Sequence, residues 1–318
     1  MTVSWGLVST APINLKIIAA AERSELAQVI AVGSRDTARA ESYAREHGID
    51  RGYGRYETLL EDDEVDAVYI SLPNGLHVEW TIRALEAGKH VLCEKPMSRH
   101  LDEVERAFDL AESRGLVLSE GFMWRHHPQT SQLVRLVSDG AIGALRLVRA
   151  AFSFPLAIER GPNDARFDPD LDGGAMMDVG CYCVSAIRLL AGEPESLAGM
   201  QSVGPSGVDV VFAGTMRHAA DVVSQFDCGF VVPRRAGLEV LGEDASLFVP
   251  TPFVVTEPGI ELRRDGDVEQ VAVEDEDSYL LELDNVSGAI RGDSPLLLGR
   301  EDAVGQAKTI EALYGSAA

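Results

Sequence analysis

The chain has 318 residues, long for one hydrophobic core, so two domains of ordinary size is the natural organisation. With 46% hydrophobic and 25% charged residues, a mean hydropathy near zero and no low-complexity tract, a disordered or fibrous protein is excluded. The net charge of −23 argues against nucleic acid and anionic membranes as partners, so an anionic ligand must be held by local arginines or backbone amides.

From the start, short apolar runs alternate with amphipathic stretches: "VSWGLVS", "INLKIIAAAERS", "LAQVIAVGS", "DTARAESYAREHG", "DAVYISLP", "HVEWTIRALEAG", "HVLCEK", "LDEVERAFDLAESRG" and "LVLSEGF". Val- and Ile-rich runs separated by helical periods predict repeated βαβ units and a doubly wound parallel sheet. Gly48, Gly88 and Gly115 stand where helices would end. After about residue 122 the pattern changes to longer strands with turns, as in "GALRLVRAAFSFP", "VDVVFAGTMRH" and "GLEVLGEDASLFV". Only "GGAMMDVGCYCVSAIRLLAG" and the tail "REDAVGQAKTIEALYG" read as strongly helical there. The expected fold is α/β: a Rossmann domain over residues 1–122, then an α+β domain with an open, mostly antiparallel sheet over 123–318. The last helix, about 300–314, is expected to pack back on the first domain.

Cys93, Cys181, Cys183 and Cys228 are too few for a disulfide scaffold, there is no basic leader at the start, and no run approaches the 18 apolar residues of a membrane span. A cytoplasmic protein is expected.

A dinucleotide site would follow the first strand as GxGxxG, yet "GLVSTAPIN" puts Ser9, Ala11 and Asn14 in place of the three glycines. Each is small, Ser9 and Thr10 can bond a phosphate, and Pro12 suits the start of a helix whose N-terminus attracts anions. Ser9, Thr10, Ala11 and Ile13 are therefore candidate cofactor positions. About 20 positions on, where an acidic residue would bind the ribose of NAD, the chain reads "VGSRD". Ser34 and Arg35, with Arg39 a helical turn further, suit a 2′-phosphate and so NADP over NAD. The alternative is that both arginines are solvated residues pairing with Asp36 or Glu41.

"HVLCEKP", together with "DAVYISLPNGLHVEWTIRALEAGKH", "FMWRHHPQ", "GGAMMDVGCYCVSAIRLL" and "LLLGREDAVGQAKTIEALYGS", resembles the Gfo/Idh/MocA oxidoreductase family over essentially the whole chain. The resemblance is closest to the branch of NADP-dependent D-xylose dehydrogenases and dihydrodiol dehydrogenases, where a small-residue turn also replaces the glycine fingerprint. It implies that Lys95 is the catalytic lysine and that Pro96 is often cis. Asp178 and Tyr182 match the polar pair facing that lysine, although many members carry His where this chain has Tyr182. By the same resemblance Leu72, Pro73, Asn74 and His77 lie beside the nicotinamide, and Glu94 contacts cofactor ribose or backbone. NADP(H) is the implied cofactor, with NAD(H) possible, and a homodimer or homotetramer the implied assembly.

The residue types suit the chemistry on their own terms. Hydride removal from an alcohol requires loss of the hydroxyl proton to a positioned base. A phenol with pKa near 10 is a poor base at neutral pH, and a nearby ammonium lowers it. Tyr182 is thus expected to move the proton, Lys95 to tune it and hold the substrate oxygen, and Asp178 to bond an adjacent hydroxyl. Read without the motif, Lys95 is a surface lysine, Tyr182 an amphipathic helix residue, Asn74 an N-cap and His77 a helix-start histidine.

In "WRHHP", Trp124 and Arg125 suit a sugar or polyol pocket, and at most one of His126 and His127 can line it. The lone CxC of Cys181 and Cys183 does not suggest zinc, and no nucleophile elbow or phosphate loop supports a hydrolase or kinase. The expected activity is hydride transfer at a sugar, polyol or diol carbon. Three rivals stand beside it: a keto-sugar reductase in a sugar-nucleotide pathway, a non-catalytic NADP-binding regulator, and a chain whose cofactor cleft is blocked by Pro12 and Asn14.

Overall fold

A computed structural model describes residues 2–161 and 163–317. The chain divides into two compact units, Met1–Met123 with Asp277–Val304, and Trp124–Glu276 with Gly305–Ala318. In the first unit, strands β1 (Val3–Val8), β2 (Ala27–Gly33), β3 (Arg51–Tyr53), β4 (Ala67–Ile70), β5 (His90–Glu94) and β6 (Leu118–Gly121) form one parallel sheet in the order β3-β2-β1-β4-β5-β6. This is the doubly wound order, whose reversal point lies between β1 and β4 and places ligand sites at the strand C-termini. Helices α1 (Asn14–Ala21), α2 (Thr37–Glu46), α3 (Tyr56–Leu60), α4 (His77–Glu86) and α5 (Leu101–Arg114) join the strands. Trp5, Leu7, Tyr69 and Ile70 are fully buried, which is why the central strands read as continuous apolar runs. Gly48, Gly88 and Gly115 all take positive φ, as the helix-ending reading requires.

The second unit contains α6 (Pro128–Ser138), β7 (Leu145–Ser153), α7 (Leu156–Arg160), α8 (Cys181–Ala191), β8 (Ser196–Val203), β9 (Asp209–Arg217), β10 (Val223–Gly229), β11 (Arg235–Gly242), β12 (Ser246–Val249), β13 (Ile260–Arg264) and β14 (Asp267–Val271). Its eight strands run β14-β13-β12-β11-β7-β10-β9-β8, antiparallel except for the β7–β10 pair. Helix α8 packs on β7 and β10, whereas the opposite face carries exposed Ala213, Thr215, Gln225 and Arg235 with Met200 at 72% exposure.

Two readings of the sequence are corrected. Beyond residue 122 the chain has more helix than expected: α6, the short α7, and α9 (Ser278–Arg291), which belongs to the first unit. Polar groups on their buried faces dilute the apolar period, Gln129 and Thr130 in α6, and Glu282 and Ser287 in α9. Helix α9 is nevertheless well bounded, by the Asp277 carboxylate accepting the Tyr279 and Leu280 N–H groups and by Gly292 at φ +74°. Trp5 donates its indole N–H to Ser287 at 3.1 Å, tying α9 to β1. Second, Pro169–Ala191 is long and apolar enough to cross a membrane, but 83% of that window is buried, as in a core helix.

The division between the units falls inside α10 (Arg300–Ser316). Arg300 pairs with Asp109 at 2.6 Å in the first unit, and Tyr314 donates to Asp209 at 2.8 Å in the second.

Candidate active site

The turn between β1 and α1 shows how serine stands in for glycine. Ser9 has φ +136°, a conformation that L side chains rarely adopt and that costs about 1–3 kcal/mol. Local bonds hold it there. Ala11 N–H donates to Ser9 Oγ at 3.0 Å, the Ser9 and Ser71 hydroxyls lie 2.7 Å apart, Asn14 Nδ2 donates to Ser9 O at 2.7 Å, and Ser71 Oγ donates to Asn14 Oδ1 at 2.6 Å. The Ser9 hydroxyl is therefore committed inside the turn. Among the described residues the N–H groups of Thr10 and Ile13 make no hydrogen bond, so they remain for an anionic ligand at the strand end.

At the end of β2, Ser34 is buried and its Oγ accepts the Asp36 N–H at 3.4 Å. The pairings that would neutralise Arg35 and Arg39 do not occur among the described residues: the Asp36 carboxylate instead caps α2 by accepting the Arg39 backbone N–H at 2.7 Å, and Glu41 lies 3.9 Å from Arg45. Both guanidinium groups are exposed and without an ion pair, in a chain where Arg51, Arg83 and Arg146 are all paired. Their charge reaches Tyr56, whose pKa burial pushes up and the two arginines pull down.

Lys95 follows β5 and is half-buried, joined to Pro96 by a cis peptide. Glu94 beside it is held by the Tyr69 hydroxyl and accepts the Lys95 N–H at 3.2 Å, so it orients the strand end. Leu72, Pro73 and Asn74, half-buried, form the loop after β4. His77 is 1% exposed, and its ring nitrogens lie 2.8 Å from Pro96 O and 2.7 Å from Leu72 O. The imidazole thus bridges the two loops internally.

In the second unit, the paired glycines of "GGAMMDVG" form a tight support. Gly174 has φ +128° and its N–H donates to Arg166 O at 2.9 Å; a side chain at Gly173 would meet that oxygen at 2.4 Å. Buried Asp209 then accepts the Met176 N–H at 2.7 Å, its carboxyl pKa raised by burial. Met176–Gly180 is a π turn, a widening common at functional sites, and it presents Asp178. Arg166 Nε lies 3.0 Å from Asp178 Oδ2.

Tyr182, 6% exposed at the start of α8, sits among aromatic rings, with centroids 5.5 Å from both Phe152 and Phe253; Trp124 lies 5.6 Å from Phe253. The Trp124 indole N–H is buried without a partner among the described residues, a polar group that a ligand oxygen would satisfy. Arg125 Nη1 donates to Ser185 at 3.3 Å. His127 is buried as the cap of α6, accepting the Gln129 N–H at 3.0 Å, and His126 has its pKa lowered to about 4 by burial and by Arg125. Phe152, Phe253 and Arg166 escaped the sequence reading; Arg166 is signalled only by the glycine pair that packs on its backbone.

Residues 6–122 match the model for an oxidoreductase family with an NAD-binding Rossmann fold, and residues 130–248 match the GFO/IDH/MocA C-terminal domain. The chain is 38% identical to D-xylose 1-dehydrogenase (NADP(+)) 2 of Haloferax volcanii, covering 98% of this chain and 97% of that one. It is 32% identical to a trans-1,2-dihydrobenzene-1,2-diol dehydrogenase of Mus musculus, covering 80% and 78%. A 3-ketoreductase from Actinomadura kijaniata, crystallised with NADP and TDP-benzene, superposes with a TM-score of 0.93 at 31% identity, covering 100% and 98%.

Proposed function

We propose that this chain, which belongs to the Gfo/Idh/MocA oxidoreductase family and is an NAD(P)-dependent dehydrogenase or reductase of CH–OH groups, prefers NADP(H) and acts on a sugar, polyol or diol carbon. The observation that carries the cofactor preference is the Arg35–Arg39 couple at the end of β2, which among the described residues makes no ion pair. In a chain of net charge −23, two exposed guanidinium groups that have no carboxylate partner among the described residues fit a 2′-phosphate. The Thr10 and Ile13 N–H groups fit a pyrophosphate, and the Ser9 network supports the turn that presents them. NAD(H) lacks the group the arginines would bind and is expected to serve less well.

When bound, the nicotinamide accepts or delivers the hydride. In this reading Tyr182 passes the hydroxyl proton and Lys95 is the second catalytic residue. Asp178, ion-paired to Arg166, accepts a neighbouring hydroxyl, and the Trp124 indole N–H donates to a substrate oxygen. Phe152 and Phe253 pack the apolar side of the ring and exclude water from the phenol.

The similarity to the Actinomadura kijaniata enzyme supports a second reading, a keto-sugar reductase working on a sugar nucleotide. A regulator that binds cofactor without turnover is disfavoured by the presence of Lys95. A second copy of the chain is the partner that suits the open, small-residue face of the eight-stranded sheet, as homodimer or homotetramer. The four buried free cysteines suit a cytoplasmic setting. The test is nicotinamide absorbance with NADP+ and NAD+ against pentoses, hexoses, inositols and diols, and with NADPH against keto sugars, with Lys95→Ala as control. Turnover that is faster with NADP+ and lost in the variant supports the reading; tight cofactor binding with no turnover across the panel moves it to the regulator.

A further inference from the structure

Asp178 is not held by its own helix alone. Its Oδ2 lies 3.0 Å from Arg166 Nε, and Arg166 Nη1 donates to both oxygens of Asp164 at 3.0 and 3.2 Å. Asp164 also accepts the Arg166 backbone N–H at 3.0 Å, and Gly174 N–H donates to the Arg166 carbonyl at 2.9 Å. Backbone and side chain of Arg166 are both fixed, on a 3-10 turn over Ala165–Phe167. The Asp178 and Asp164 side chains are 13% and 17% exposed, so water screens the ion pair only partly. The two carboxylates raise the pKa of the guanidinium, and a charge held in this way keeps a neighbouring carboxylate ionised. The segment from Glu159 to Asp178 carries six carboxylates against two guanidinium groups.

We propose that Arg166 is a positioning residue that holds Asp178 ionised and in one orientation, as acceptor of a hydroxyl of a neutral, multiply hydroxylated sugar. The surplus negative charge of the segment disfavours phosphorylated and nucleotide-linked sugars. This rests on the assignment of Asp178 to substrate made above, and it separates the two readings of substrate class. Because the guanidinium engages both carboxylates at once, a lysine retains the charge without the fork and restores function only in part.

The experiment measures kcat, KM and their pH profiles for the wild type, Arg166→Gln and Arg166→Lys. The substrates are a neutral pentose, a neutral hexose, the matching sugar phosphates and a dTDP-linked keto sugar. NADP+ affinity by fluorescence and Tm are read on every variant. The wild type is expected to favour the neutral sugar over its phosphate by about 100-fold in kcat/KM. Arg166→Gln is expected to raise KM for the neutral sugar about tenfold and to move the acid limb of kcat/KM to higher pH, with NADP+ affinity unchanged. Arg166→Lys is expected to recover part of both effects. An unchanged KM and acid limb in folded Arg166→Gln would overturn the positioning role. Faster wild-type turnover of the dTDP-linked sugar would overturn the charge selection while leaving the oxidoreductase reading intact. Failure of the wild-type chain to bind either nicotinamide cofactor would overturn the parent reading and this one with it, and is seen before any variant is made.

Discussion

The turn after β1 and the turn before α8 are both tight and both use a positive φ, but they carry opposite kinds of polar group. At Ser9 the strain is held by neutral hydroxyls and an amide, and among the described residues the Thr10 and Ile13 N–H groups make no hydrogen bond. At Gly174 glycine takes the positive φ without that strain, its N–H bonded to Arg166 O; buried Asp209 accepts the Met176 N–H nearby, and the turn that follows presents another carboxylate, Asp178. In this acidic chain the first turn is free of carboxylates, and among the described residues Arg35 and Arg39 make no ion pair, which is the basis of the proposed anionic cofactor site. The second turn concentrates negative charge, in Asp209 and in Asp178 paired to Arg166.

The comparison breaks most severely at the reacting groups. Lys95→Ala should lower kcat/KM by about 10³-fold or more with NADP+ affinity within a few-fold of wild type, measured by steady-state kinetics and fluorescence titration. Tyr182→Phe should cost about 10²-fold or more in kcat. If it does not, proton transfer passes to Lys95. Arg35→Ala with Arg39→Ala should weaken NADP+ about 10- to 100-fold and leave NAD+ nearly unchanged, a gap that narrows as salt is raised. These three separate the anion-binding turn from the chemistry.

Smaller effects test the supports. A side chain at Gly174 combines φ +128° with an approach of 2.1 Å to Asp209 Oδ1, so Gly174→Ala should destabilise the protein by about 2–3 kcal/mol in urea unfolding. His126 has a folded pKa lowered to about 4 from 6.5. The unfolded chain therefore takes up the proton first, and stability is lost as pH falls from 6.5 towards 4. His126→Gln should remove a loss on the order of 2 kcal/mol across that window, read from denaturation at the two ends. Met200→Glu, on the open sheet face, should shift a homo-oligomer towards monomer in sedimentation without altering monomer Tm.

The parallel sheet was legible because β1, β4 and β5 are buried on both sides and separated by helices ending in glycine, a pattern carried by local periodicity. Helix α9 was not, since Glu282 and Ser287 occupy its buried face and its partner Trp5 lies at the other end of the chain. The cofactor turn could be placed by counting from β1, but the commitment of the Ser9 hydroxyl to Ser71 depends on a contact across 62 residues. His77 was read as a cofactor contact; its ring nitrogens also lie within hydrogen-bond distance of the Leu72 and Pro96 carbonyls, which no spacing rule brings together. Asp178 and Tyr182 were singled out through a motif; Arg166, Phe152 and Phe253 arise from loop and sheet packing that the motif does not encode.

The most direct test of the account is isotopic. The chain is incubated with NADP+ and a neutral sugar deuterated at the carbon to be oxidised, and the recovered NADPH is examined by mass spectrometry. The account predicts deuterium in the nicotinamide ring for the wild type and far less over the same time for Lys95→Ala. Bound NADP+ that never acquires the label from any neutral sugar, polyol or diol would contradict it.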